Sequence, residues 1–141
     1  MIVSNKHARR NYELLDFFEC GIVLKGTEVK SISRANCSIN EAYVQIIKNQ
    51  ALILNMHVAN FFEGNNFNQD PYRNRKLLLH KKEIIRLQHL VKTQHMTIVP
   101  TKIYWKNNKL KIEIALGKGK QLHDKREDIK KRDLARETRL F

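Results

Sequence analysis

The chain has 141 residues, with 27 Lys plus Arg against 14 Asp plus Glu and a formal charge of +13. Its length fits one domain plus a tail, and 42% apolar residues allow a modest core. Such an excess of positive charge points to a polyanionic partner. No apolar run reaches the roughly 18–20 residues that span a bilayer, and no apolar stretch follows the charged N-terminus as a secretory signal requires, so no membrane partner is expected.

Residues 1–11 are basic and polar, with Lys6, His7, Arg9 and Arg10, and read as an arm over the surface. Apolar residues thicken from Tyr12 to Leu24, a strand leading into Gly21 and a further short apolar stretch. Gly26 to Ile32 reads as a short helix, with Thr27 as its N-cap and Glu28 favourable in its first turn. Ala42–Ile47 and Ala51–Val58 are two β-rich runs around a short polar connection, a hairpin signal. Asn60 to Arg75, with Gly64, Asn65, Asn66, Asn68, Asn74 and Asp70-Pro71, reads as a loop. From His80 to Thr93 the apolar residues Ile84, Ile85, Leu87, Leu90 and Val91 fit one face of a helix, with Lys81, Lys82, Arg86 and Lys92 on or near the other.

Met96 to Leu116 is the clearest hairpin. Leu110, Ile112, Ile114 and Leu116 alternate with Lys109, Lys111, Glu113 and Ala115, which places one face in a core and the other in water. Lys106-Asn107-Asn108-Lys109 supplies the turn, because Asn tolerates the left-handed region. Pro100 signals an edge or a bulge. Residues 117–141 hold nine Lys/Arg and five Asp/Glu but few large apolar residues. They are expected to be disordered when free and helical, at least in part, on a partner. The fold expected is mainly β with small helices: an OB-like antiparallel barrel over 12–116 between the arm 1–11 and the tail 117–141.

Signs of catalysis are missing. The six His are scattered without zinc-site spacing. Gly117-Lys118-Gly119-Lys120 is too short for a P-loop. Cys20 and Cys37, 17 residues apart with no CxxC spacing, read as reduced thiols of a cytoplasmic protein. No catalytic residue, metal or cofactor is expected. What recurs is cations beside aromatics: Arg9 and Arg10 before Tyr12, Tyr72 before Arg73, Arg75 and Lys76, and Tyr104-Trp105 before Lys106, Lys109 and Lys111. Cations neutralise phosphates and aromatic faces stack on unpaired bases. By strand alternation, one of Tyr104 and Trp105 must face outward.

These stretches also carry a resemblance. Asn5-Lys6-His7-Ala8-Arg9 with Tyr12, Phe18-Glu19-Cys20-Gly21-Ile22, and Gly26-Thr27-Glu28-Val29-Lys30-Ser31 are similar to successive motifs of the SmpB family. So are Asp70-Pro71 with Arg73 and Arg75-Lys76-Leu77-Leu78-Leu79-His80, then Val99-Pro100, Tyr104-Trp105 and Lys109-Leu110-Lys111, and finally Gly119 to Arg126. Each motif alone is weak; together they follow the family's order over nearly the whole chain. Departures are Cys20 for a common Ala, Gln69 where a His often stands, Asn49-Gln50 for a frequent Gly-Glu turn, and a tail short for the family.

The resemblance implies a protein that binds the tRNA-like domain of tmRNA and escorts it, with elongation factor Tu, into the A site of a stalled ribosome. The barrel would replace a missing anticodon arm, and the tail would enter the decoding centre formed by small-subunit rRNA. Glu19, Leu78 and Lys111 fall on family positions implicated in tmRNA binding. Lys6, Arg9, Tyr12, Lys30, Arg73, Arg75 and Lys76 join them as RNA-binding candidates. Gly119, Lys120, His123, Asp124, Lys125 and Arg126 match the decoding-centre segment. Lys111 alternates to the solvent face and suits a phosphate. Leu78 suits packing or an apolar contact to a base or sugar. Glu19 would orient an Arg, accept from a base or 2′-hydroxyl, or form a salt bridge that shapes the barrel. The competing readings are a generic single-stranded RNA-binding barrel and an RNA-processing enzyme.

Overall fold

The computed structural model describes residues 2–60 and 70–119. Its elements run β1 (Val3–Ser4), α1 (Ala8–Asn11), β2 (Tyr12–Ile22), α2 (Gly26–Ser33), β3 (Cys37–Ser38), β4 (Tyr43–Ile47), β5 (Gln50–Leu54) and β6 (His57–Val58). There follow β7 (Arg75–Leu78), α3 (Lys81–Gln94), β8 (Thr97–Lys106) and β9 (Lys109–Gly119). Six strands pair antiparallel in the order β8-β4-β5-β7-β2-β9, and β9 returns to β8, so the sheet closes on itself. This is the OB-like barrel that the strand alternation and local hairpins predicted. The short β1 lies beside β8, and β3 with β6 forms a separate two-stranded ribbon.

Alternation builds the core. Ile112, Ile114 and Leu116 of β9, Ile98 and Ile103 of β8, Cys20 of β2, Ile53 of β5 and Leu77 of β7 all point inward and are buried. α3 contributes Ile84 and Leu87. Ile85 does not join them: one residue on from Ile84 turns the helix by about 100°, and Ile85 stays exposed. Both hairpins turn on two left-handed residues, Lys48-Asn49 and Asn107-Asn108, the arrangement whose twist matches the flanking strands. Pro100 sits at a register shift between β8 and β9, a bulge rather than an edge.

Four expectations need correction. Residues 2–11 are more than an arm over the surface. Val3 and Ser4 pair with Ile103 and Lys102, and the Asn5 amide donates to the carbonyls of Ile39 and Pro100. The Asn5 side-chain oxygen also accepts from the His7 and Ala8 amides, which starts α1. Thr27 is not the N-cap of α2. That position is Lys25, whose backbone amide donates to the Glu28 carboxylate at 2.8 Å. Ala115 is buried rather than in water, in a central strand with Phe17 of β2 opposite it on one side and Val99 of β8 on the other. Lastly, β9 runs past residue 116: Gly117, Lys118 and Gly119 pair with Leu14, Glu13 and Tyr12.

Candidate nucleic-acid interface

Strand register brings distant residues into one row. Tyr104 of β8 is opposite Lys111 of β9, Lys111 opposite Gly21 of β2, and Gly21 opposite Leu78 of β7. Their neighbours Ile103, Ile112, Cys20 and Leu77 are buried inside, so alternation turns all four residues of the row outward. Glu19, two residues before Gly21, lies on the same outer stripe. Glu19, Gly21, Leu78 and Lys111 together line an open groove of about 390 Å³, joined by His80 and Glu83. Three of the sequence candidates therefore converge although Glu19 and Lys111 stand 92 positions apart.

Gly21 is what lets Leu78 lie there. A Cβ on Gly21 would come within 3.2 Å of the Leu78 Cβ and Cδ1, and glycine in a strand often marks such a close approach. Leu78 remains 54% exposed, an apolar surface ringed by charge. Glu19 is held from the side: the Tyr104 hydroxyl donates to it at 2.5 Å and the Lys106 ammonium at 3.2 Å. The Tyr104 bond, then Lys106 and Lys111, keep the Glu19 carboxyl below its ordinary range. Burial and the Glu19 carboxylate push the Tyr104 phenol well up. Glu19 thus bridges β2 to β8 across β9, while its exposed carboxylate is an oriented acceptor. The partners are Tyr104 and Lys106, not an Arg. Lys102 stacks over the Tyr104 ring at 5.6 Å, a cation–π contact that adds positive charge on this side.

Arg75 does not belong to any such surface. It is fully buried, and its guanidinium is used up inside: Nε donates to Glu28 at 2.6 Å, Nη1 to the carbonyls of Met56 and Arg73, and Nη2 to that of Pro71. The position inside β7 explains this, since Arg75 and Leu77 share the inward face while Lys76 and Leu78 share the outward one. A cation in a basic run carried no sequence signal of being inward. Arg73 also pairs with Glu28, at 2.6 Å, and keeps only about a quarter of its side chain exposed. Burial pushes the Glu28 carboxyl up, but Arg73, the Lys25 amide and Arg75 outweigh it and hold it below the ordinary range.

The whole chain settles the lineage. The family model described as SmpB protein matches residues 2–140. The chain belongs to the SmpB family. A protein named SsrA-binding protein from Malacoplasma penetrans is 54% identical over 99% of this chain and 95% of its own. Those so named from Oleidesulfovibrio alaskensis and Mycoplasma mycoides are 52% and 51% identical. A chain in a solved structure of tmRNA–SmpB at the centre of the bacterial ribosome shares the fold, with TM-score 0.70 and 37% identity over 85% of each chain.

Within this SmpB-family fold the remaining candidates scatter. Arg9 caps the Phe17 ring at 5.9 Å, on the outer stripe that leads to Glu19. Lys76 is exposed on the outer face of β7 with Leu78. Lys6, whose amide donates to Asn40, and Lys30, on the exposed side of α2, do not line the groove. Tyr12 is at the other end of the barrel, against Gly117. Gly119 is exposed at the end of β9; Lys120, His123, Asp124, Lys125 and Arg126 lie outside the described residues. Sequence reasoning passed over Tyr104 and Lys106 as fasteners of Glu19, and Gly21 as the space for Leu78. The glycine inside a strand pattern was the available signal.

Both thiols are free, and burial pushes Cys20 up to about 12 and Cys37 up to about 11, so neither is a thiolate near neutral pH. Among the described residues no three His, Cys, Asp or Glu gather as metal ligands, and no helix is long and apolar enough to cross a membrane.

Proposed function

We propose that this chain binds the tRNA-like domain of tmRNA and delivers it to the A site of stalled ribosomes, where the unfinished peptide is tagged and the ribosome released. The observation that carries the reading is the row Tyr104, Lys111, Gly21 and Leu78 with Glu19 beside it. It joins a cation for phosphate, an apolar contact for base or sugar, and an oriented carboxylate for amino or 2′-hydroxyl donors. Double-stranded and elbow-shaped RNA is read through such shape, phosphate and 2′-hydroxyl contacts. Arg9 and Lys76 extend the cationic margin, and Lys6, Tyr12, Lys30 and Arg73 reach RNA only beyond the groove.

The chain acts without catalysis of its own, in the cytoplasm, with elongation factor Tu reached through the tmRNA complex. Residues 120–141, with Gly119 at their root, enter the decoding centre. The nine cations among residues 117–141 suit a path lined by ribosomal RNA.

The test is a competition titration of the full chain at fixed salt, with labelled tRNA-like tmRNA fragment against poly-U. A preference of more than about tenfold for the fragment is expected, since a structured elbow offers contacts a loose strand does not. Equal affinity would replace this reading with a generic single-stranded RNA-binding barrel. Reproducible RNA cleavage that one point substitution abolishes would make the protein an enzyme.

A further inference from the structure

Beside the Lys111–Leu78 row the barrel has a second recess. Trp105, Leu110, Ile22, Leu24 and Val29 wall it, and Lys109 and Lys111 stand with Asn108 among its lining. It measures about 340 Å³ and shares Gly21, Leu78 and Lys111 with the groove already described. Strand parity explains why it is open. Ile103 and Trp105 belong to the inward face of β8, and Trp105 is opposite Leu110. Ile103 is buried, but Trp105, two residues nearer the turn, keeps 47% of its surface exposed. Tyr104 thus faces outward by alternation, whereas Trp105 faces inward at a place where nothing closes over it.

A half-bare indole is an unusual thing for a barrel to leave open. Leu78 and Val23, also about half exposed, stand at this same end, in strands β7 and just after β2. An apolar slot lined by one indole, two lysines and the amide-bearing Asn108 has the complement of one nucleotide: a ring to stack, a phosphate to neutralise, a base edge to hydrogen-bond. An aliphatic protein side chain would use the slot's apolar walls but leave the paired lysines unanswered. The recess also adjoins the groove proposed for RNA, with Gly21, Leu78 and Lys111 lining both.

We infer that Trp105 and its recess receive a single unpaired nucleobase of the bound RNA, with the adjoining phosphate on Lys109 and Lys111. The inference rests on the tRNA-like RNA reading above and assigns it one nucleotide-specific pocket.

Trp105 is the only tryptophan in the chain, so its emission reports the site directly. The full chain is titrated with the tRNA-like tmRNA fragment while binding is followed separately by filter retention. Expected are quenching of tryptophan emission along the same curve as retention, about tenfold weaker binding for Trp105→Ala, and a much smaller loss for Trp105→Phe, which keeps a stacking ring. The salt dependence of Trp105→Ala should match that of the unaltered chain, since no phosphate contact is lost. A fragment with an abasic nucleotide at one loop position should bind the unaltered chain as weakly as Trp105→Ala binds the intact fragment, and the two losses should not add. Normal retention with unchanged emission, or Trp105→Ala binding at full strength, would overturn this inference and leave the proposed function standing. Absence of retention altogether would overturn both.

Discussion

Arg75 and Glu28 meet at 2.6 Å, 0% and 3% exposed, across 47 positions of sequence. The pair fastens α2 to the start of β7, and the Arg75 guanidinium draws in the carbonyls of Met56, Pro71 and Arg73 as well. A buried pair of this kind need not add net stability against an apolar replacement, but removing one partner strands the other charge. Arg75→Ala should therefore lose about 3–5 kcal/mol of unfolding free energy, read by chemical denaturation. Arg75→Lys should recover little, because an ammonium lacks the planar fork that serves four acceptors. A loss below about 1 kcal/mol for Arg75→Ala would show that water takes over these bonds and that the pair does not organise the Pro71–Arg73 turn.

Glu28 gives the same cluster a pH signature. Its folded-state pKa is depressed, so the unfolded chain takes up a proton first as pH falls. The stability it adds is fully present above the ordinary carboxylate range and is lost as pH drops through the lowered folded value. The difference in stability between the unaltered chain and Glu28→Gln should accordingly be constant near neutrality and shrink in acid. Measuring both chains cancels the titration of the other carboxylates. A difference that grows in acid would contradict the depressed pKa.

Lys111 and Arg75 should behave oppositely although both sit in basic runs. Lys111→Ala removes an outward cation and is expected to weaken tRNA-like RNA binding by about 1 kcal/mol or more, to lower the magnitude of the salt slope by about one, and to leave unfolding unchanged. Paired titrations at several salt concentrations decide it. Full affinity with an unchanged slope would take Lys111 out of the interface.

Gly117 is fixed by one neighbour. A Cβ there would lie 2.8 Å from the Cβ of Tyr12, an atom attached to the backbone and unable to swing aside. Gly117→Ala should cost about 1–3 kcal/mol through strain. Tyr12→Ala should not repair it, because the offending Cβ remains, whereas Tyr12→Gly should recover part of the loss. Equal recovery by both replacements, seen in thermal unfolding, would mean that the ring rather than the Cβ makes the conflict.

The barrel was legible because period-two alternation in Leu110 to Leu116 and the Asn107-Asn108 turn encode both face and register locally. Pro100 announced its bulge for the same reason: it has no amide hydrogen to offer a ladder. What stayed hidden is long-range. Nothing in Arg73-Asn74-Arg75-Lys76 says that Arg75 faces a carboxylate 47 positions earlier while Lys76 faces water; that depends on which face β7 turns to α2. Asn5 shows the same limit. Its amide looks like part of a polar surface arm until Ile39 and Pro100 are brought beside it. The candidate site was half legible: Glu19, Leu78 and Lys111 were suggested by family positions, but their meeting in one groove required the β2–β7 and β2–β9 registers.

Those registers also fix where the chain can be cut. Gly117, Lys118 and Gly119 pair with Leu14, Glu13 and Tyr12, so a chain ending at Leu116 leaves the first quarter of β2 without a partner. A chain ending at Gly119 keeps every described strand pair. It should unfold like the unaltered chain and bind the tRNA-like fragment within about twofold, since none of the groove residues is removed. It should nevertheless support no peptide tagging in a reconstituted translation system with stalled ribosomes, because the cationic residues 120–141 are gone. The chain ending at Leu116 should in addition lose stability, by roughly 1–2 kcal/mol if three unpaired strand residues fray. Full tagging by the Gly119-terminated chain would make the segment beyond β9 dispensable, and the barrel alone would then have to account for ribosome rescue.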